Sequence, residues 1–281
     1  MRVVEYDSSR RTDVAGLMGR VWGKRPDEED LAWFYERNPV RRASVLLAEE
    51  DGTTIGTTAL SFARMSIAGE QVEIGMAVRL ATDPAFRGRG VFAALMAEQE
   101  RRAGELGIPL LLSVTNAAST PILAGPLGWS RLEPIRAWAR AKILRGSTWT
   151  RPVKRFEGDP PEPRQPVTGD RVLRDGAWLN WRFADGPGTY TCLVEEGYAV
   201  SGRWRGMGVV AVAAGDLIRD AASAGGGPVI LAAPPRSERN RYILSGFVPT
   251  PKTFTVVGKS LDPRVPLPAA PHFELGDLDF L

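Results

Sequence analysis

The chain has 281 residues, 43% hydrophobic, 25% charged and 8% aromatic, which excludes a disordered, collagen-like or coiled-coil protein. Lys plus Arg total 36 against 33 Asp plus Glu, and the resulting +3 is too slight to imply a nucleic acid or other polyanion as partner. A single cysteine, Cys192, excludes an internal disulfide and a cysteine zinc cluster, and a single histidine, His272, argues against a multi-histidine metal centre, so no metal is expected. No apolar leader opens the sequence, and no apolar run approaches the ~20 residues that span a bilayer. These features predict a cytoplasmic protein without a membrane partner.

In chain order, residues 3–6 read as a first strand and 12–21 and 27–37 as helices. Leu31, Phe34 and Tyr35 give the second helix an apolar face. Asn38-Pro39 stops it, because a residue before proline is pushed out of the helical region. Segments 44–49 and 54–61 form a predicted hairpin about Asp51-Gly52, followed by strands at 65–68 and 72–82. A long helix is expected from 90 to 106, then a strand at 110–114, a short helix near 119–127 and a strand at 136–144.

Prolines 152, 160, 161, 163 and 166 then interrupt any regular element, and the residues beyond them repeat the first half loosely. At an offset of 148, Leu31, Trp33 and Pro39 match Leu179, Trp181 and Pro187. Asn116, Ile122-Leu123 and Gly128-Trp129 find counterparts in Asn240, Ile243-Leu244 and Gly246-Phe247. The expected domains are therefore 1–148, a linker at 149–168, a degenerate second copy at 169–262 and a tail at 263–281.

The segment richest in chemistry is Thr82-Asp83-Pro84 followed by Arg87-Gly88-Arg89-Gly90, where a strand turns into the long helix. Free N–H groups at a helix start, aided by the helix dipole, attract phosphate, and the two arginines add fixed positive charge. The loop lacks the Gly-Lys-Ser/Thr of a Walker A motif and the Gly-x-Gly-x-x-Gly of a dinucleotide fold. Together with Gly107-Ile108-Pro109, the strand at 110–114, Asn116 and Gly128-Trp129, it resembles the core of the GNAT (Gcn5-related) N-acetyltransferases. The resemblance implies an α/β (α+β) protein of two tandem GNAT-like halves, each a mixed, mostly antiparallel sheet flanked by helices. It also implies acetyl-CoA as co-substrate. Its pyrophosphate would lie on Arg87, Gly88, Arg89, Gly90, Val91 and Phe92, its pantetheine arm along Leu80, Ala81 and Thr82, and its thioester near Asn116. Phe92 departs from the small residue usual at the end of that loop.

For the chemistry, Glu73 is the candidate base, 14 residues before Arg87, with an exposed strand-end charge as its alternative. Asn116 is the second candidate catalytic residue, and Asp83 reads as a loop cap. No tyrosine follows Asn116 in the short helix to serve as acid; Tyr242 holds the comparable place in the second copy and reads chiefly as packing. Arg203 to Gly208 reads as a hairpin turn, Cys192 as strand packing and His272 as exposed in a proline-rich tail. Asp216 stands where the second copy would need a phosphate loop. The expected activity is transfer of an acetyl group to a primary amine, a small molecule favoured over a protein lysine. The rivals are a non-catalytic acyl-CoA-binding or regulatory module and an aminoacyl-tRNA-dependent transferase. Oligomeric state is not legible.

Overall fold

The computed structural model describes residues 1–141, 155–161, 168–195, 197–214 and 217–278. They fall into two compact units. The first comprises 1–64, 72–132 and 256–267; the second comprises 65–71, 133–255 and 268–281. The division is interleaved where the sequence suggests continuous ranges: 133–141 and the hairpin tip 65–71 group with the second unit, and 256–267 with the first. Most of the expected 149–168 linker lies outside the described residues.

The first unit runs β1 (Arg2–Glu5), α1 (Arg11–Trp22), α2 (Glu28–Glu36), β2 (Ser44–Glu50), β3 (Thr53–Ile67) and β4 (Glu70–Thr82). It continues with α3 (Val91–Glu105), β5 (Leu110–Thr115), α4 (Thr120–Ala124) and the two-residue β6 (Ser130–Arg131). The expected strands at 54–61 and 65–68 are one continuous β3, in which Phe62 and Met65 are both buried. The sheet order is β1-β2-β3-β4-β5. Helix α3 buries Val91, Leu95, Met96, Gln99 and Ala103, a stripe at helical spacing laid on the sheet. Its one polar member is satisfied, since the Gln99 amide donates to the carbonyls of Ser44 and Thr58. Asn38 ends α2 from a buried position, its amide donating to the Phe62 carbonyl at 2.8 Å while its oxygen accepts from Val40 N–H.

The second unit holds β7 (Ile135–Ala141), β8 (Arg171–Leu173), α5 (Gly176–Leu179), β9 (Tyr190–Glu195), β10 (Gly197–Trp204) and β11 (Met207–Ala214). After these come α6 (Ile218–Ala224), β12 (Val229–Ala232), α7 (Arg239–Leu244) and the start of β13 (Val248–Ser260). Strands β9, β10 and β11 are antiparallel neighbours, and β12 lies parallel to β11 after the α6 crossover. The first unit has the same order: β2, β3 and β4 antiparallel, then α3 and a parallel β5. Residues 203–208 form the β10–β11 turn, with Arg205 and Gly206 both in the left-handed region.

Trp178, Trp181 and Phe183 are buried and stack edge to face, as core aromatics do. Cys192 sits half-buried in β9, where burial pushes its thiol up to about 11 and keeps it protonated. Among the described residues no helix is long and apolar enough to cross a membrane.

Candidate active site

The site is built where β4 ends. Strands β4 and β5 pair in parallel only at Gly75 with Leu111 and Met76 with Leu112. Beyond that the Ser113 hydroxyl donates to the Ala77 carbonyl at 2.8 Å, and the ladder stops. Arg79 then takes a positive φ of 51°, rare for a residue with a side chain, a kink in the regular conformation of β4. Its guanidinium lies over the Phe34 ring of α2 at 3.9 Å, so the kink is held from outside the sheet. The result is a wedge between residues 78–82 and 113–115, with Leu80, Ala81 and Thr82 along one side and Asn116 just past the other.

The wedge opens onto the loop. Asp83 anchors it three ways: its N–H donates to the Ile55 carbonyl at 2.8 Å, its carboxylate accepts from Ala85 N–H, and Arg20 of α1 pairs with it at 2.6 Å. The Arg20 guanidinium holds the Asp83 carboxyl below the usual carboxylate range. Gly88 and Gly90 have φ of 75° and 76°, and Gly90 is the residue from which α3 starts, without a side-chain cap. The first helical bond runs from Ala94 N–H to the Gly90 carbonyl, so Val91, Phe92 and Ala93 present N–H groups with no intrahelical acceptor.

Arg87, Gly88, Arg89 and Gly90 are all exposed. The two arginines differ. Arg89 is held by the Glu50 carboxylate at 2.7 Å and lies over Phe86, whereas Arg87 has no ion-pair partner among the described residues. Phe92 packs half-buried against the core cluster that includes Leu60, Phe62 and Met96, which accounts for a large residue in that helical turn.

The structure separates Glu73 from this constellation in two respects. It lies on the stretch of β4 before the β5 pairing, and its carboxylate is gripped by Arg41 at 2.6 Å. Asn116 stands at the wedge, but its side-chain oxygen accepts from the N–H groups of Ala118 and Ser119 and shapes the turn into α4. Arg20, Glu50 and Arg79 escape sequence reasoning. Each acts through a residue far away in the chain, and only the non-glycine kink at Arg79 carries a local signature, visible in coordinates alone.

In the second unit the corresponding wedge is filled by the chain itself. Strand β11 pairs with β12 only at Gly208 and Val209, and past that point Glu274 accepts from Ala213 N–H at 2.9 Å. The tail turn Leu275–Asp277 continues along the same edge. Arg174 pins it, pairing with Glu274 at 2.8 Å and Asp277 at 2.5 Å, all three side chains at most 9% exposed. Tyr242 is fully buried against Phe247, its hydroxyl 3.5 Å from Glu274, and burial raises its pKa well above the ordinary phenol value. His272, expected to be exposed, has both ring nitrogens shut from solvent, because its backbone N–H is bonded to Asp170 and holds the tail down. Asp216 and residues 279–281 lie outside the described residues.

Residues 2–132 match the family described as the Acetyltransferase (GNAT) domain. Similar solved structures include a GCN5-related N-acetyltransferase from Kribbella flavida, 13% identical over 96% of this chain and 73% of that one, with a TM-score of 0.67. A GCN5-related N-acetyltransferase from Anabaena variabilis is 10% identical over 93% and 73%, TM-score 0.63. Eis1 of Mycobacterium abscessus is 14% identical over 91% and 73%, TM-score 0.58. Among curated proteins none matches this sequence significantly. A kinked β4 wedge leading into a glycine–arginine helix start lies inside the matched span, and the protein carries an acyltransferase domain of the GNAT superfamily in residues 2–132.

Proposed function

We propose that this protein transfers an acetyl group from acetyl-CoA to a primary amine on a small molecule. The observation that carries the reading is the β4 edge left without β5 pairing beyond Met76, joined through the 83–90 loop to the free N–H groups at the start of α3. In this reading Arg87 and the N–H groups of Gly88 to Phe92 hold the pyrophosphate, and the backbone of Leu80 to Thr82 pairs with the amides of the pantetheine arm. That pairing sets the thioester carbonyl beside the wedge, where a β4 N–H donates to the developing oxyanion. The neutral amine nitrogen then bonds to the carbonyl carbon, the carbon–sulfur bond breaks, and the thiolate leaves and takes up a proton.

An alkyl amine has an ordinary pKa of about 10.4, so a proton must be drawn off before attack. Glu73 takes that proton through water, since its carboxylate is engaged by Arg41. Glu73→Gln is expected to lower kcat at least about tenfold with acetyl-CoA affinity unchanged; equal kcat would return Glu73 to a purely structural ion pair. Two features favour a non-catalytic acyl-CoA-binding module instead: the committed Glu73 carboxylate and the lack of a tyrosine in α4. The setting is the cytoplasm, where acyl-CoA donors are made.

The decisive experiment is free-thiol release from acetyl-CoA across a panel of amines, with the acetylated product identified by mass. Release with one or more amines supports the transferase. Tight binding with no release across the panel supports the binding module.

A further inference from the structure

A cavity of about 420 Å³ opens within the second unit, lined by the start of β7, the segment before β8, the turn into α7 and the tail around His272. That size lies in the range of small-molecule sites, roughly 300–1,000 Å³. Three guanidinium groups line it, from Arg136, Arg236 and Arg239, against the carboxylates of Glu133 and Asp170.

The cations outnumber the anions, and the anions are thinly shared. Glu133 serves both Arg236 at 3.3 Å and Arg239 at 3.7 Å, longer than the 2.7–2.9 Å usual for a charge-assisted hydrogen bond. Asp170 already accepts from the N–H of Ala68. Arg136 reaches the Thr250 carbonyl at a long 3.3 Å. The Nε of Arg239 is shut from solvent with no acceptor, as are both nitrogens of His272 in the cavity wall. Buried donors left unmatched are costly and uncommon in native structures, where a missing ligand is one ordinary reason for them. Each guanidinium offers five N–H donors in a planar fork suited to carboxylate or phosphate oxygens.

We propose that this cavity binds a small organic oxyanion, a carboxylate- or phosphate-bearing molecule, through Arg136, Arg236 and Arg239. The inference stands independently of the transferase reading, since none of these residues belongs to the β4–α3 constellation.

His272, the chain's one histidine, makes the test direct. Its imidazole forms part of the cavity wall, and burial beside Arg174 and Arg171 pushes its pKa down to about 3. The ring therefore stays neutral across the working pH range, and a change in its signal reports occupancy, not protonation. Full-length protein labelled with ¹³C at the histidine Cε1 gives a single imidazole resonance, because His272 is the one histidine. Succinate and inorganic phosphate are titrated separately at constant ionic strength, with sodium chloride as the blank.

A saturable shift with at least one of the two anions and none with chloride is the expected result. A response to phosphate alone assigns a phosphorylated ligand, and a response to succinate alone a carboxylate. Arg239→Gln is expected to weaken the responding anion at least about tenfold, while Arg101→Gln on the exposed face of α3 leaves it unchanged. A resonance that stays put with both anions at concentrations that would fill a millimolar site overturns the proposal, as does wild-type affinity in both the Arg239→Gln and the Arg236→Gln variant.

Discussion

Arg87 and Arg89 sit two residues apart in the same loop, yet their surroundings give them different work. Arg89 is tied to Glu50 and Phe86 and so helps hold the loop in shape, while Arg87 projects its charge with no ion-pair partner among the described residues. Arg87→Glu is therefore expected to weaken acetyl-CoA binding well over tenfold, because it sets a negative charge beside the pyrophosphate. Arg89→Ala is expected to cost less affinity and to lower thermal stability slightly. Calorimetry on both folded variants checks the order; an Arg87→Glu protein that binds normally removes the loop from the site. His272 adds a pH effect at this scale. Its folded pKa of about 3 lies below the ordinary 6.5, so its neutral form supports the fold above pH 6.5, and that support is lost as the pH falls toward 3. His272→Gln is expected to flatten that part of the stability profile, measured by denaturant unfolding at a series of pH values.

At the scale of elements, the position of α3 depends on a missing side chain. A Cβ at Gly56 of β3 would come within 2.8 Å of Val91 and 3.0 Å of Leu95, the first turn of the helix that offers its N–H groups. Gly56→Val should push that turn outward, destabilise the fold by about 1–3 kcal/mol and weaken acetyl-CoA binding together. Urea unfolding and calorimetry on the same variant measure both; a loss of stability with affinity intact would separate the sheet contact from the loop. The tail of the second unit hangs on another element-scale device, the buried Arg174 between Glu274 and Asp277. Arg174→Ala leaves two buried carboxylates without their cation and is expected to cost about 3–5 kcal/mol. Unfolding midpoints in denaturant give the value, and a change below about 1 kcal/mol would show that the tail is held by its apolar residues instead.

For the molecule as a whole, the two units share a strand order but not an open wedge. The first keeps β4 free beyond Met76, whereas the second gives the same edge of β11 to Glu274 and the turn after it. One acetyl-CoA per chain is therefore expected, and calorimetric titration of the intact protein reads it directly. Two equivalents per chain would mean that the tail leaves β11 when ligand is offered.

Local chemistry made much of this legible from the residues. Alternating apolar strands, the Asn38-Pro39 stop, the glycines of the 87–90 loop and the apolar stripe of α3 each act over a few residues, so their spacing is enough to place them. The GNAT core was legible through the family resemblance that the 82–90 loop, Asn116 and Gly128-Trp129 carry, and the second half through its residue matches at an offset of 148. What the sequence could not reveal depends on residues far apart in the chain. Glu73 looks like a free carboxylate until Arg41 is found across 32 positions, and His272 looks exposed until its backbone is bonded to Asp170. The interleaved division of 65–71, 133–141 and 256–267 is set by long-range pairing, which leaves no periodic signal along the chain. The filling of the second wedge by Glu274 likewise belongs to tertiary structure alone, because a buried carboxylate is acceptable only once Arg174 and the Ala213 N–H are brought to it.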